Sequence, residues 1–327
     1  VLFRHEKTFF NHPAFAILIS DDMGDDEVAS RLGKVEFFRF DRVGAVLKPE
    51  MVALRHRGHR DRFLDIVRKA VERPVAILLM AEETEVMKEA LEIARSKRPV
   101  IYAATGKNAE EFGFLAKAFS CPLVVKGDGI DDVMTLTEKL GAMGVKDMVI
   151  DTSTRSVKES FQEQVIIRRM ALLKKEKRLG FPTIVFPGEA TGDMMKETMI
   201  ASCFVAKYAG IIVLSDFTGE SIFPLMLQRL NIYTDPQRPM TTEEGIYPIN
   251  NPDAASPVIV TCNFSLTYFI VSSEIENSRV PCWLCIMDTE GLSVMTAWAA
   301  GKFVGDLVGS FIKRSGIAEK TNHRKLI

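Results

Sequence analysis

The chain lacks an apolar run near the roughly 18 residues that a membrane-spanning helix needs, and its first residues do not read as a secretory leader. It also lacks a charge of one sign: 42 Lys and Arg against 43 Asp and Glu give a formal net charge of −1. Nothing in that balance calls for nucleic acid or an anionic membrane. The basic stretch RHRGHRDR, Arg55–Arg62, is local and reads as a solvated loop and helix start. Cysteine is scarce and odd in number, five residues spread through apolar segments. That fits a reducing cytoplasm better than a disulfide framework. The five histidines, His5, His12, His56, His59 and His323, include no His-x-x-x-His, so no zinc hydrolase is signalled. Neither GxGxxG nor GxxxxGK[ST] occurs, and nucleotide binding loses support accordingly.

What the sequence does have is a core and a period. Apolar residues are 47% and charged residues 26% of 327, enough for two domains or one large α/β barrel with an appendage. Eight short apolar runs recur: Ala14–Ser20, Met51–Arg55, Pro74–Met80, Pro99–Ala104, Pro122–Val125, Asp147–Ile150, Pro182–Phe186 and Gly210–Leu214. Continuous, mostly β-branched runs of this length suit strands buried on both faces of a parallel sheet. Amphipathic stretches separate them. In Thr84–Lys97, Met87, Leu91 and Ala94 form one stripe, with Lys88 and Arg95 opposite. Asn108–Ser120 and Asp131–Gly144 open on Asn and Asp, residues suited to capping a helix. Eight βα units predict a TIM-type (β/α)8 barrel over 1–235, and the count decides against a doubly wound open sheet. Pro236–Pro257 holds five prolines among polar residues and reads as a linker, 236–256. A smaller, Rossmann-like α/β domain is predicted over 257–327, with strands at Pro257–Thr261 and Val280–Met287, a helix at Ser265–Ser278 and one or two helices over Gly291–Lys313. The chain begins at Val1 and stops on the apolar pair of HRKLI, so both ends are expected to belong to a longer polypeptide.

Chemistry has three candidate seats. Cys282 and Cys285 have Cys-x-x-Cys spacing, but residues three apart on a strand point to opposite faces and cannot converge on one ion. A redox pair would sit at a strand-to-helix turn instead. They are read as core cysteines. The barrel's strand ends carry Asp21, Asp22, Arg55, His56, Lys126, Asp128, Asp151 and Asp216, where a barrel places its working loops. Such residues would suit a lyase or a pterin-dependent methyltransferase, or serve as caps. In the small domain, VTCNFSLT (Val260–Thr267) and MDTEGLSVMT (Met287–Thr296) each give a strand, a hydroxyl-rich turn and a helix start. Two such turns side by side would form a crevice lined by Thr261, Asn263, Ser265 and Thr267 and by Thr289, Gly291, Leu292 and Ser293. That crevice suits a large, flat, amide-rich ligand held by many neutral hydrogen bonds.

VLFRHEKTFF at the start, RLNIYTDPQRP (Arg229–Pro239), VTCNFSLTYFIV (Val260–Val271) and DTEGLSVMTAWAAGKF (Asp288–Phe303) resemble the large (gamma) subunit of the corrinoid iron–sulfur protein of the acetyl-CoA decarbonylase/synthase system. The resemblance implies a methyl carrier: a cobamide that takes a methyl group from a methyltetrahydrofolate or methyltetrahydropterin through a methyltransferase and delivers it to acetyl-CoA synthase. It implies a small TIM-barrel subunit as heterodimer partner, a pterin methyltransferase, acetyl-CoA synthase and a reductive activator as further partners, and no nucleic acid or membrane. By motif match it implies cobamide contacts at Thr261, Thr267 and Gly291, Leu292, Ser293 and Val294, with Asn263, Ser265 and Thr296 beside them. No catalytic or metal-ligating side chain is expected. The family's N-terminal four-cysteine domain has no counterpart here, so this chain is expected to hold no 4Fe–4S cluster, and the family continues past HRKLI. Many corrinoid methyl carriers supply a histidine from Asp-x-His-x-x-Gly; this chain has none, so base-off, histidine-off cobalt is expected. The alternative reading is a free-standing barrel methyltransferase or lyase.

Overall fold

The computed structural model describes residues 11–42, 45–233 and 240–327. They divide into two compact units, one of 11–39 and 48–233, the other of 40–42, 45–47 and 240–327.

The first unit is a parallel barrel. Its strands are β1 (Ala14–Ser20), β4 (Met51–Arg55), β5 (Ala76–Met80), β6 (Val100–Ala104), β7 (Leu123–Lys126), β8 (Met148–Asp151), β9 (Ile184–Val185) and β10 (Ile211–Leu214), one in each of the eight apolar runs. They order as β8-β7-β6-β5-β4-β1-β10-β9, every pair parallel. The ring nearly closes between β8 and β9 through one parallel bridge, Ile150 to Thr183, where Ile150 N–H donates to Pro182 O at 2.8 Å. Period-two alternation sends Ala16, Met51, Ala53, Leu78, Met80, Val124, Val149, Ile211 and Val213 into one interior cluster. Phe15, Ile17, Val52, Leu54, Ile77 and Leu79 belong to the opposite alternation and are fully buried too.

Helices α1 (Asp25–Phe37), α2 (Arg60–Val71), α3 (Thr84–Ile93), α4 (Ala109–Phe119), α5 (Ile130–Ala142), α6 (Val157–Leu173), α7 (Met194–Ala206) and α8 (Gly219–Tyr233) alternate with the strands. The stripe predicted in α3 is real, since Met87, Leu91 and Ala94 are fully buried while Lys88 and Arg95 are exposed. Phe63 of α2 and Phe112 of α4 are also fully buried, each contributing roughly 1.5–3 kcal/mol. The expected caps need correction. The Asn108 side chain does not cap α4; its Oδ1 accepts from Thr105 N–H at 2.7 Å, folding the preceding loop instead. Helix α5 starts at Ile130, so Asp131 lies inside its first turn.

The second unit holds β11 (Gly245–Ile249), β12 (Val258–Cys262) and β13 (Cys282–Met287), with α9 (Ser265–Ser278), α10 (Val294–Ala299), α11 (Gly305–Ser315) and α12 (Ile317–Lys320). Its sheet is three-stranded and mixed, ordered β11-β13-β12. β12 and β13 are parallel, as a β–α–β unit through α9 requires, and β11 is antiparallel to β13. Ile327 adds backbone bonds to the outer edge of β12, at Val258 O and Val260 N–H, both 2.9 Å.

Two boundaries differ from the sequence reading. The stretch expected as a linker contains β11, where Pro248 sits opposite Trp283. A proline that argues against a central strand is tolerated on an edge strand such as this one. The hairpin β2 (Phe40–Arg42) with β3 (Ala45–Leu47) groups with the second unit although it precedes β4 in sequence. Its Arg42 guanidinium lies 5.3 Å from the ring centre of Phe269 on α9.

Candidate functional site

The two cysteines separate as strand geometry requires. Cys282 packs with Leu284 and Ile286 on one face of β13, Cys285 with Met287 on the other. Both are buried. Burial pushes the Cys285 thiol up to about 11 and raises that of Cys282, so neither is a thiolate at neutral pH. Among the described residues no group of three or more His, Cys, Asp and Glu could hold a metal ion.

The barrel has a cavity of about 1250 Å3, lined from the ends of β4 to β8 and the loops that follow. Its floor is a charged network. Asp151, buried at the end of β8, accepts from Tyr102 Oη at 2.7 Å and from Arg155 Nη1 and Nη2 at 3.0 Å each. Arg155 also bonds Glu189, which Arg55 Nη2 reaches at 2.9 Å. Burial and the neighbouring Asp151 raise the Tyr102 phenol far above its ordinary value, leaving it a hydrogen-bond donor. Of the other predicted strand-end residues, His56 lines the cavity with a buried Nε2 that makes no hydrogen bond and lies 3.8 Å from Asp21 Oδ2. Asp21 accepts from Arg57 and His59 N–H, and Asp216 pairs with Lys34. Lys126 lies 5.5 Å from the Tyr102 ring centre and lines the cavity with Asp128. Five cationic and five acidic side chains line the cavity, so it favours neither sign of ligand charge. Tyr102, Arg155 and Glu189 escaped the sequence reading; only Tyr102, a lone hydroxyl in an apolar run, carried a signal.

The turns of the second unit do come together. β12 and β13 run in register, Cys262 beside Met287, so both turns leave the same end of the sheet. Asn263, 5% exposed, spans them. Its Oδ1 accepts from Thr289 N–H at 3.0 Å and Gly291 N–H at 2.9 Å, with Thr289 Oγ1 at 3.0 Å. Two backbone N–H donors converging on one atom identify it as the amide oxygen. Nδ2 donates to Asp288 Oδ1 at 2.8 Å. Glu290 and Gly291 have φ of 57° and 75°, the left-handed region that suits glycine.

Thr261 and Ser265 are buried with Asn263, and Ser265 Oγ lies 3.4 Å from Thr242 Oγ1. Gly291 is buried, Thr267, Leu292, Ser293 and Val294 are half-buried and Thr296 is exposed. Ser293 and Thr296 hydroxyls are 3.0 Å apart. Just beyond the turns, Leu266 and Ile270 on α9 and Met295 and Trp298 on α10 are exposed, Trp298 by 62%. Large exposed apolar side chains close in sequence to hydroxyl-rich turns make this region a candidate binding face. The stretch after the second turn holds two helices, α10 and α11, because Gly301, at φ 70°, ends the first after six residues.

The model of the CO dehydrogenase/acetyl-CoA synthase delta subunit family matches residues 1–327. The chain belongs to that family. It is 36% identical over 328 residues to the corrinoid/iron-sulfur protein large subunit of Moorella thermoacetica, covering 100% of this chain and 73% of that one. It is 33% identical to the acetyl-CoA decarbonylase/synthase complex subunit gamma of Methanocaldococcus jannaschii, with 100% and 72% covered, and 34% identical to that of Methanopyrus kandleri, with 100% and 73% covered. No helix among the described residues is long and apolar enough to cross a membrane.

Proposed function

We propose that this family member is a corrinoid methyl carrier and that the paired turns after β12 and β13 hold its cobamide. The observation that carries the reading is the buried amide of Asn263 joining two hydroxyl-rich turns beneath exposed Leu266, Met295 and Trp298. A corrin has an apolar ring and a rim of amide side chains. Hydroxyls and backbone suit the rim, and apolar side chains suit the ring.

The site residues divide by reach. Thr267, Ser293, Thr296 and the backbone of Leu292 and Val294 are accessible enough to touch the ligand, while Gly291 is buried and lets the backbone turn beside them. Thr261, Asn263 and Ser265 are buried and shape the turns. When bound, the cobamide supplies a cobalt centre whose reduced form accepts a methyl group. The protein's part is to bind, to orient and to withhold a strong lower ligand. His323 Nε2 lies 2.9 Å from Ser256 O, and its Nδ1 accepts from Lys325 N–H at 3.2 Å, so both ring nitrogens are engaged. Ser256 precedes β12, whereas the turns follow it, about 17 Å away along five residues of strand. The base-off, histidine-off expectation rests on that separation. The partners are those of a carrier: a small barrel subunit, a pterin methyltransferase, acetyl-CoA synthase and a reductive activator.

The visible absorption spectrum of the chain co-expressed with its small subunit tests the reading. A corrinoid band with about one cobalt per chain is expected. A colourless, folded protein that binds no added cobamide overturns it. The barrel cavity favours the alternative, a pterin-dependent methyltransferase or lyase, and that protein would be colourless.

A further inference from the structure

We propose that Asn263 is the positioning residue of this site, setting the backbone of the second turn before any ligand arrives. Its own polar atoms face protein. Asn263 Oδ1 serves the N–H groups of Thr289 and Gly291, and Asp288 Oδ1, held by Asn263 Nδ2, serves the intervening N–H of Glu290 at 2.8 Å. Three consecutive backbone donors are thus fixed by two oxygens, and one buried amide orders both. Thr289 Oγ1 lies 3.0 Å from Asn263 Oδ1 and 2.9 Å from Leu292 O, so its single proton serves one of them at a time. The same bonds hold Glu290 left-handed, a conformation that side chains of L-residues disfavour.

The amide is anchored from behind. Asn263 O accepts from Thr242 N–H at 2.9 Å. Asp288 N–H donates to Glu244 Oε2 at 2.9 Å, and Glu244 pairs with Arg314. The spacing between the turns is therefore set by protein–protein hydrogen bonds, and a ligand meets a preformed edge at Leu292–Val294 without the entropy cost of ordering it. Asn263 acts on the ligand only through that edge. The identity of the ligand rests on the corrinoid reading, but the positioning role does not.

The test compares Asn263→Ala, Asn263→Asp and the double variant Asn263→Asp with Asp288→Asn, all in the full chain with its small subunit. The first removes four contacts. The second keeps the acceptor but sets two carboxylates against each other. The double variant returns a donor between positions 263 and 288. Amide hydrogen exchange across 288–294, in protein freed of cobamide, is read beside cobalt retained per chain. Exchange at 289–291 should rise roughly tenfold or more in Asn263→Ala, as loss of buried hydrogen bonds implies, while β13 stays protected. Cobalt retention should fall with it, and the double variant should recover most of both relative to Asn263→Asp. If Asn263→Ala does not fold, the isosteric Asn263→Asp and the double variant decide. Unchanged exchange at 289–291, or a double variant no better than Asn263→Asp, overturns the proposal. Faster exchange in a chain whose parent binds no cobamide would leave the positioning role standing and remove the corrinoid reading. Unchanged exchange with normal retention would do the reverse.

Discussion

At the carboxyl ends of the barrel strands, Asp151, Arg155, Glu189 and Arg55 hold one another in ion pairs around a wide cavity. At the same ends of β12 and β13, an amide, hydroxyls and backbone N–H gather with one carboxylate, Asp288, bordered by exposed Leu266, Met295 and Trp298. The charged set is complete within itself, each carboxylate matched by a guanidinium. The second set spends its carboxylate on the Asn263 amide and the Glu290 N–H and leaves hydroxyls and apolar side chains accessible. Ion pairs in a barrel mouth stabilise or position; a neutral, half-apolar edge is the surface that a large uncharged ring system can use. Strand ends alone therefore do not mark the site, since both regions have them.

That contrast can be broken by experiment, most sharply at Gly291. Its φ of 75° excludes a β-branched side chain. Gly291→Val should abolish cobamide retention, measured as cobalt per folded chain, with barrel circular dichroism unchanged. Full retention would remove the turn from the site. In the barrel, Arg155→Ala strips the partner from Asp151, which is 2% exposed. Breaking such a pair should cost roughly 3 kcal/mol of barrel stability in denaturant unfolding, the low end because Arg155 is partly exposed. It should leave cobamide content unchanged.

A smaller effect is expected from Cys282→Ala with Cys285→Ala, roughly 1–3 kcal/mol, with no loss of pigment. It carries a pH signature. The folded thiols titrate above their unfolded values. Their contribution is therefore intact below the unfolded value near 9 and is lost as the unfolded chain ionises first, between about pH 9 and 11. The parent's stability should fall across that window more steeply than the double variant's; equal slopes would contradict the burial argument. Smallest of all, His323→Ala should leave the EPR spectrum of the Co(II) state unaltered and base-off. Axial nitrogen splitting in the parent that disappears in the variant would show that the histidine does ligate.

Much of the architecture was readable because it rests on local pattern. Each of the eight apolar runs became a barrel strand, and strand geometry alone set Cys282 and Cys285 on opposite faces. The DTEGLS turn was visible as a hydroxyl-rich stretch after a strand. The hairpin at 40–47 was not readable, because membership of a unit depends on pairing far along the chain. Nor was β11, since the edge position that tolerates Pro248 is a property of the assembled sheet. Asn108, read as a cap, found a nearer backbone donor in Thr105.

The sequence by itself determined the barrel, the family and the two turns, because short-range periodicity and long matching strings need no partner to be recognised. Tertiary structure decided how those turns are held. Asn263 looked like one more polar side chain that could touch a ligand; only the register of β12 on β13 shows its amide within 3 Å of Asp288, Thr289 and Gly291. A hydrogen bond between residues 26 and 28 positions apart leaves no trace in local pattern, because neither partner's identity requires the other.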